Sequence, residues 1–369
     1  MRLNKQLVAL GLSSCVVSAF ADPTQYTLVD LGPLGTDTGS GAFNISAGGV
    51  IVGRSTFTGG ATAFTATVGG AQAALPGLAG RNFSVANGAN DLGTVVGVGS
   101  TTSVGAGAIP LMWQNGVLTQ LAIPAGAGIA SAYDVNASNV AVGSAGTGTA
   151  LQGVIYSGGT STVISGMSVA YAINNGGLAV GYGIDSVSGL RNGLVYNTAT
   201  GTSTVLGSLA TKNGAIAYDV SNTGYVVGAS VLNQSATGLP FIWTATGGMQ
   251  AIPLVNGATT GTARSVNASG WAVGTVGVGN STPYVFDGTN SYDLSTLIVG
   301  AAGWSLTSNV STAYGISDSG VIVGTAVFNG IAHGYELVPI TAAVPEPGSY
   351  ALLMAGLFAV GSVVRRRQV

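Results

Sequence analysis

Residues 170–181 read AYAINNGGLAVG, and the same pattern, Ala-x-x-(Ile/Val)-(Asn/Ser)-x-x-Gly-x-x-Val-Gly, runs through the chain. It appears as AFNISAGGVIVG from Ala42, AYDVNASNVAVG from Ala132, AYDVSNTGYVVG from Ala217, ARSVNASGWAVG from Ala263 and AYGISDSGVIVG from Ala313. ANGANDLGTVVG from Ala86 is a weaker copy, which makes seven. The cores lie at 42–53, 86–97, 132–143, 170–181, 217–228, 263–274 and 313–324, with closing glycines 44, 46, 38, 47, 46 and 50 residues apart. Self-similarity at such a period is the mark of a repeat architecture.

Within each core the (Asn/Ser)-x-x-Gly step is turn chemistry: a side-chain acceptor opens the turn and a residue that tolerates positive φ closes it. Where that glycine is missing, Asn139 takes its place, and asparagine is the next residue to enter the left-handed region. Each core therefore predicts a hairpin. The Asn136 and Asn267 sequons are explained by the same turns. Bulkier stretches follow, around Phe64, Leu111 to Trp113, Val154 to Tyr156, Leu194 to Tyr196, Phe241 to Trp243, Tyr284 to Phe286 and Tyr335, and read as third strands. Fourth strands are expected at Val117 to Leu121, Thr162 to Ile164, Thr204 to Leu206, Met249 to Ile252 and Tyr292 to Leu294.

Second strands such as Val50-Ile51-Val52 are apolar at consecutive positions, so both of their faces should be covered. Four short strands per 40 to 50 residues is the size of a propeller blade. The expected fold is thus all-β, a seven-bladed β-propeller of four-stranded blades over residues 22–344. The seventh copy lacks a fourth strand, and Tyr26 to Leu31 (YTLVDL) is available to supply it. A β-solenoid is the alternative, but its coils usually repeat at roughly 20 to 30 residues. Over about residues 26–338 the unit resembles the HAF repeat of bacterial extracellular proteins. Ala332-His333-Gly334-Tyr335 resembles that family's His-Ala-Phe step; the other copies carry no histidine.

With 61 glycines, 6% charged residues and a mean hydropathy of +0.51, the chain is far from the compositions that stay disordered. Residues 22–344 hold five basic and eleven acidic residues, a net charge of −6. Such a body does not attract a phosphate backbone, which excludes nucleic acid as an expected partner.

Both ends read as addresses. Residues 1–21 have a basic start (Arg2, Lys5), an apolar run from Leu7 to Val17 and the small-x-small pattern of Ala19 and Ala21, a signal peptide for signal peptidase. A competing reading is a lipobox at Leu12 to Cys15. Cleavage after Ala21 would discard the only cysteine, Cys15, and with it any disulfide, thiol nucleophile or cysteine metal site. At the other end, VPEPGSYALLMAGLFAVGSVVRRRQV combines Pro345-Glu346-Pro347, an apolar helix over residues 348–364 and the basic stop Arg365, Arg366 and Arg367. This tail, residues 345–369, resembles the PEP-CTERM sorting signal in all three parts. At about 1.5 Å per residue the helix reaches roughly 25 Å, slightly short of a hydrocarbon core of about 30 Å, which reads as a short, temporary transmembrane span. The arginines favour the cytoplasmic side and leave the body outside the membrane. The resemblance implies recognition by an exosortase, removal of the helix, and delivery to the surface or extracellular matrix of a Gram-negative bacterium. An ordinary permanent anchor is the plain alternative.

Chemistry is sparse between these ends. His333 is the sole histidine, so a triad or multi-histidine metal site would have to be built around it; its place in a repeated strand favours a structural role. Asp134 and Asp219 share the third position of their cores and read as variation along a blade, while Asp91 and Asp318 fall in hairpin turns. Glu336 is the only glutamate of the body, beside ten aspartates. No calcium loop, phosphate-binding loop or nucleophile elbow stands out. No cofactor, metal or catalytic residue is expected. The favoured function is a surface or matrix interaction protein binding polysaccharide or protein, and the rival is a glycan-active enzyme with aspartates gathered at the propeller channel.

Overall fold

The computed structural model describes residues 23–340 except 236, 278 and 280. The signal peptide (Ala19, Ala21), the motif Pro345 to Pro347, the helix expected over 348–364 and the basic stop Arg365 to Arg367 lie outside these residues. Among the described residues the chain is all-β, its one helical element being a single 3-10 turn, Leu294–Thr296.

Strands pair as a series of antiparallel meanders, one for each core. Unit 4 is typical: Val169–Ile173, Leu178–Ile184, Arg191–Asn197 and Thr202–Val205 pair in that order. The unit 1 meander ends in a short strand, Ala73–Ala74. Unit 7 is assembled from both ends of the chain. Its strands Thr312–Ile316, Ile322–Phe328 and Ile331–Pro339 are completed by Tyr26–Asp30, which pairs antiparallel from Tyr26↔Pro339 to Asp30↔Tyr335.

Every core forms a hairpin, and the residue closing its turn has positive φ: Gly49, Gly93, Asn139, Gly177, Gly224, Gly270 and Gly320. Asn139, at φ 57°, does what glycine does elsewhere. In each hairpin the register slips by one residue after the opening alanine, as between Ala170 and Ala172, so the second residue of the core is unpaired. This is a β-bulge. It draws the inner strand so close that a Cβ on Gly181 would land on the carbonyl oxygen of Val169, and equivalent collisions await at all seven closing glycines. The glycine also faces the bulky third-strand residue, as Gly53 faces Phe64, Gly228 faces Phe241 and Gly324 faces Tyr335.

The consecutive apolar residues of each second strand belong to different cores. Val95 packs with units 1 and 2 and Val96 with unit 3; Ala179 packs with unit 3 and Val180 with unit 5. Val226/Val227, Ala272/Val273 and Ile322/Val323 divide in the same way. Each meander is therefore buried on both faces, at a gain of about 1.5–3 kcal/mol per large aliphatic side chain. The series returns to its start, because Val321 and Val323 of unit 7 pack with Ala42, Ile45 and Ile51 of unit 1. The result is a propeller-like ring around a central channel.

Candidate functional site

The channel is built from the inner strands, and the bulge decides what faces it. Because the second core residue is skipped by the pairing, Phe43, Asn87, Tyr133, Tyr171, Tyr218, Arg264 and Tyr314 all turn toward one cavity of about 290 Å³. Tyr171 is the hub of an aromatic row, with ring centroids 5.7 Å from Tyr133 and 5.2 Å from Tyr218. Arg264 lies over the Tyr218 ring at 4.7 Å, and Phe43 meets Tyr314 edge-on at 5.5 Å. The other end, a narrower space of about 100 Å³, is lined by the hairpin turns. Asn44, Asp219 and Ser265, all third-position residues, border both spaces and form the middle of the channel.

At the turn end, hydrogen bonds join each unit to the next. The Oδ1 of Asn174 accepts the turn N–H of Leu178 at 2.9 Å, as the turn reading requires, while its Nδ2 donates to the carbonyl of Ser221 in unit 5 at 2.9 Å. Asn90 donates in the same way to Asn136, Asn136 to Asn174, and Asn267 to Ser317. The serine-bearing cores have no amide to give and use other donors. Thr223 Oγ1 donates to the carbonyl of Ala268 at 2.8 Å, the amide of Asp318 to Ala47 at 3.1 Å, and the amide of Gly48 to Asp91 Oδ1 at 2.7 Å. These links pass through every unit and close on themselves.

The aspartates belong to the same system. Asp134 accepts the amide of Ile173 in unit 4 at 2.9 Å, Asp219 that of Val266 in unit 6 at 2.8 Å, and Asp318 that of Ala268 at 2.8 Å. Ser265 accepts from Ile316 at the same relative position. Where the third residue is glycine, the neighbour moves in: a Cβ on Gly88 would sit 2.6 Å from the Tyr133 carbonyl. Asp134 and Asp219 are thus joints between units, more than the free variation that sequence reading assigned. Enclosure by protein pushes the Asp134 carboxyl up to about 8, helped by the charge of Asp219, against the opposing pull of the Ile173 amide. Burial also raises Asp219. Asp134 therefore holds its proton through most of the neutral range.

His333 and Glu336 lie away from the channel, at the junction of units 7 and 1. His333 Nδ1 is 3.0 Å from Asp30 Oδ1, across the pairing of the first and last strands, and its ring packs near Trp304 and Phe328. Glu336 is fully buried, and its carboxylate accepts the Gly69 amide of unit 1 at 3.1 and 3.2 Å. Desolvation raises its pKa. No group of three or more His, Cys, Asp or Glu able to hold a metal occurs among the described residues. Sequence reading missed the second-position column, although the recurring Ala-Tyr and Ala-Phe pairs carry it.

Residues 343–368 match the PEP-CTERM protein-sorting motif. The motif implies an exported protein processed by an exosortase. No curated protein matches the chain. Among solved structures, a streptogramin B lyase superposes with a TM-score of 0.52 at 12% identity, over 86% of this chain and 98% of its own. Virginiamycin B lyase from Staphylococcus aureus gives 0.52 at 12% identity, over 86% and 100%. A puromycin hydrolase gives 0.50 at 14%, over 85% and 55%. What they share with this chain is the β-propeller-like fold.

Proposed function

We propose that this is a cell-surface or extracellular-matrix interaction protein. In this reading residues 22–344 form one closed seven-bladed propeller of HAF-type repeats, and its aromatic channel mouth binds extracellular polysaccharide. Signal peptidase acts at Ala19 to Ala21. An exosortase recognises Pro345 to Pro347 while the helix 348–364 and Arg365 to Arg367 hold the chain in the inner membrane, then releases it.

The observation that carries the binding role is the column of half-buried aromatics and amides at the wider end of the channel. Aromatic faces offer apolar area to the C–H faces of a sugar ring, and the phenol and amide groups can hydrogen-bond its hydroxyls. A glycan-active enzyme is the second reading, favoured by one fact: Asp134 is a carboxyl that burial keeps protonated inside the channel, as a general acid requires. Against it, the Asp134 and Asp219 carboxylates both hold backbone amides of neighbouring units. Incubating the protein purified from its host with extracellular polysaccharides, and measuring both retention and chain cleavage, tests the two together. Retention without cleavage supports the binding role; cleavage abolished by Asp134→Asn replaces it. Intact mass of the surface form tests the sorting half, which fails if residues 348–369 are still attached.

A further inference from the structure

Arg264 has a setting that sugar binding alone leaves unexplained. It stands in the column otherwise held by Phe43, Asn87 and tyrosines, and its guanidinium stacks on Tyr218. Among the described residues no carboxylate lies within ion-pair distance of it, and its Nε is buried without a hydrogen-bond partner. A half-buried guanidinium needs an acceptor, and one that is already stacked keeps its planar fork fixed for a bidentate oxyanion. The surroundings amplify this. Of the five basic residues in a body of net charge −6, three stack on aromatic rings around this mouth: Arg264 on Tyr218, Arg54 on Phe43 at 5.4 Å, and Arg191 on Tyr182 at 5.4 Å. Phe43 and Tyr314 also border a second hollow, of about 490 Å³, that holds Arg54. The mouth therefore continues into a groove with a guanidinium on each part. Of the channel carboxyls only Asp219 borders the mouth, where it accepts the Val266 amide; Asp91, Asp134 and Asp318 line the turn end.

We infer that the aromatic mouth is a site for an acidic polysaccharide, with a uronate carboxylate on Arg264, its sugar ring against Tyr171 and Tyr218, and the next acidic sugars running toward Arg54. This rests on the polysaccharide reading and narrows it to one class of polymer. A polyanion without rings would gain the guanidinium contacts and forgo the aromatic ones; a neutral glycan would do the reverse.

The test uses the processed protein purified from its host, with polygalacturonate, a neutral galactan and polyglutamate as probes in affinity electrophoresis and calorimetry. Polygalacturonate should bind at least tenfold more tightly than either other polymer, and more weakly as salt is added. Arg264→Met, which keeps the apolar stem over Tyr218, should lose tenfold or more of that affinity, and Arg264→Lys should recover part of it. The thermal midpoint of each variant reports whether the fold is intact, and Tyr171→Leu supplies a second probe of the same mouth. Galactan binding that depends on Tyr171 but ignores Arg264 would overturn the acidic assignment and leave the polysaccharide reading standing. Equal, Arg264-dependent binding of polyglutamate would overturn the sugar part. Binding of none of the three would overturn both.

Discussion

The junction between units 7 and 1 differs from the other junctions in its chemistry. Units 2 to 5 are joined in series by neutral asparagine amides, each of which also holds its own turn. Their neighbours are connected by the chain itself, so modest links suffice to set the spacing. Unit 7 is the one unit whose strands are not continuous in the chain: Tyr26–Asp30 runs on into unit 1 at Gly39 but is held to Ile331–Pro339 by pairing alone, and there the ring adds the buried Glu336 carboxylate on Gly69, the Gly334 amide on Ser40 at 2.9 Å, and the contact of His333 with Asp30. Closing a ring of several hundred residues without a covalent link means overcoming loop-closure entropy. Strand pairing and buried polar contacts gather where that cost falls.

The largest effect should come from removing the borrowed strand. A chain beginning at Ser40 loses five rows of pairing and the buried Tyr26, and it exposes the long edge of Ile331–Pro339. Its cooperative thermal transition should disappear in a calorimetric scan; a midpoint equal to that of a chain beginning at Asp22 would show that the closure is dispensable. Next comes the bulge. Gly181→Ala drives a methyl into the Val169 carbonyl with no flexible neighbour to yield, and should cost about 3 kcal/mol or more. Gly224→Val meets nothing within 4 Å and should cost about 1–3 kcal/mol through its φ of 90° alone. Chemical denaturation of both ranks them, and the reverse ranking would remove the bulge as the reason for the closing glycine.

Much of this was legible in the sequence because it is local. The turn glycines, Asn139 as their substitute, the double-sided second strands and the spare N-terminal strand follow from residue type, period and strand count. The site was less legible for two physical reasons. Strand alternation assigns the second core residue to one face, but a one-residue bulge reverses that assignment, and nothing in AYAI announces a bulge except the glycine ten residues after the tyrosine. The second bond of Asn174 reaches a carbonyl 47 residues away, so its donor half is invisible until the neighbouring unit is placed. Asp134 and Asp219 were hidden for the same reason.

The double duty of asparagine can be separated within the ring. Asn174→Ala removes both the turn acceptor and the link to Ser221, whereas Ser46→Ala, at the equivalent position of unit 1, removes the turn acceptor for Val50 and no link. The first should cost about 2 kcal/mol and the second about 1 kcal/mol, at roughly one net hydrogen bond apiece. Equal losses in urea denaturation would leave the amide without a linking role. The channel carboxyl gives a pH signature. Asp134 titrates near 8 folded and near 3.8 unfolded, so the stabilisation from its proton is complete below about pH 4, declines as pH rises, and is gone above about pH 8. Asp134→Asn cannot lose a proton and can still accept from Ile173. Its thermal midpoint should match the parent near pH 4 and exceed it near pH 8, where a shift of about four pKa units corresponds to roughly 5 kcal/mol. Parallel pH profiles would mean that Asp134 is ionised throughout.

The smallest effect is expected at the most conspicuous residue. His333 is the sole histidine and pairs with Asp30, but the pair sits at the ring's edge: the aspartate side chain is 33% exposed and the histidine 13%. Solvent screening holds such pairs to about 0–1 kcal/mol. Strand pairing, the Glu336 carboxylate and the apolar core of the junction remain whether or not the pair forms. A double-mutant cycle with Asp30→Asn and His333→Gln separates the pair from the packing of the ring against Trp304 and Phe328. The coupling should be below about 1 kcal/mol and should shrink as salt is added, while polysaccharide retention stays at the level of the parent protein. A coupling of about 3 kcal/mol or more would make the ion pair, and not the borrowed strand, the principal clasp of the ring. Loss of polysaccharide retention in His333→Gln with an unchanged midpoint would instead move the functional site from the channel mouth to this edge.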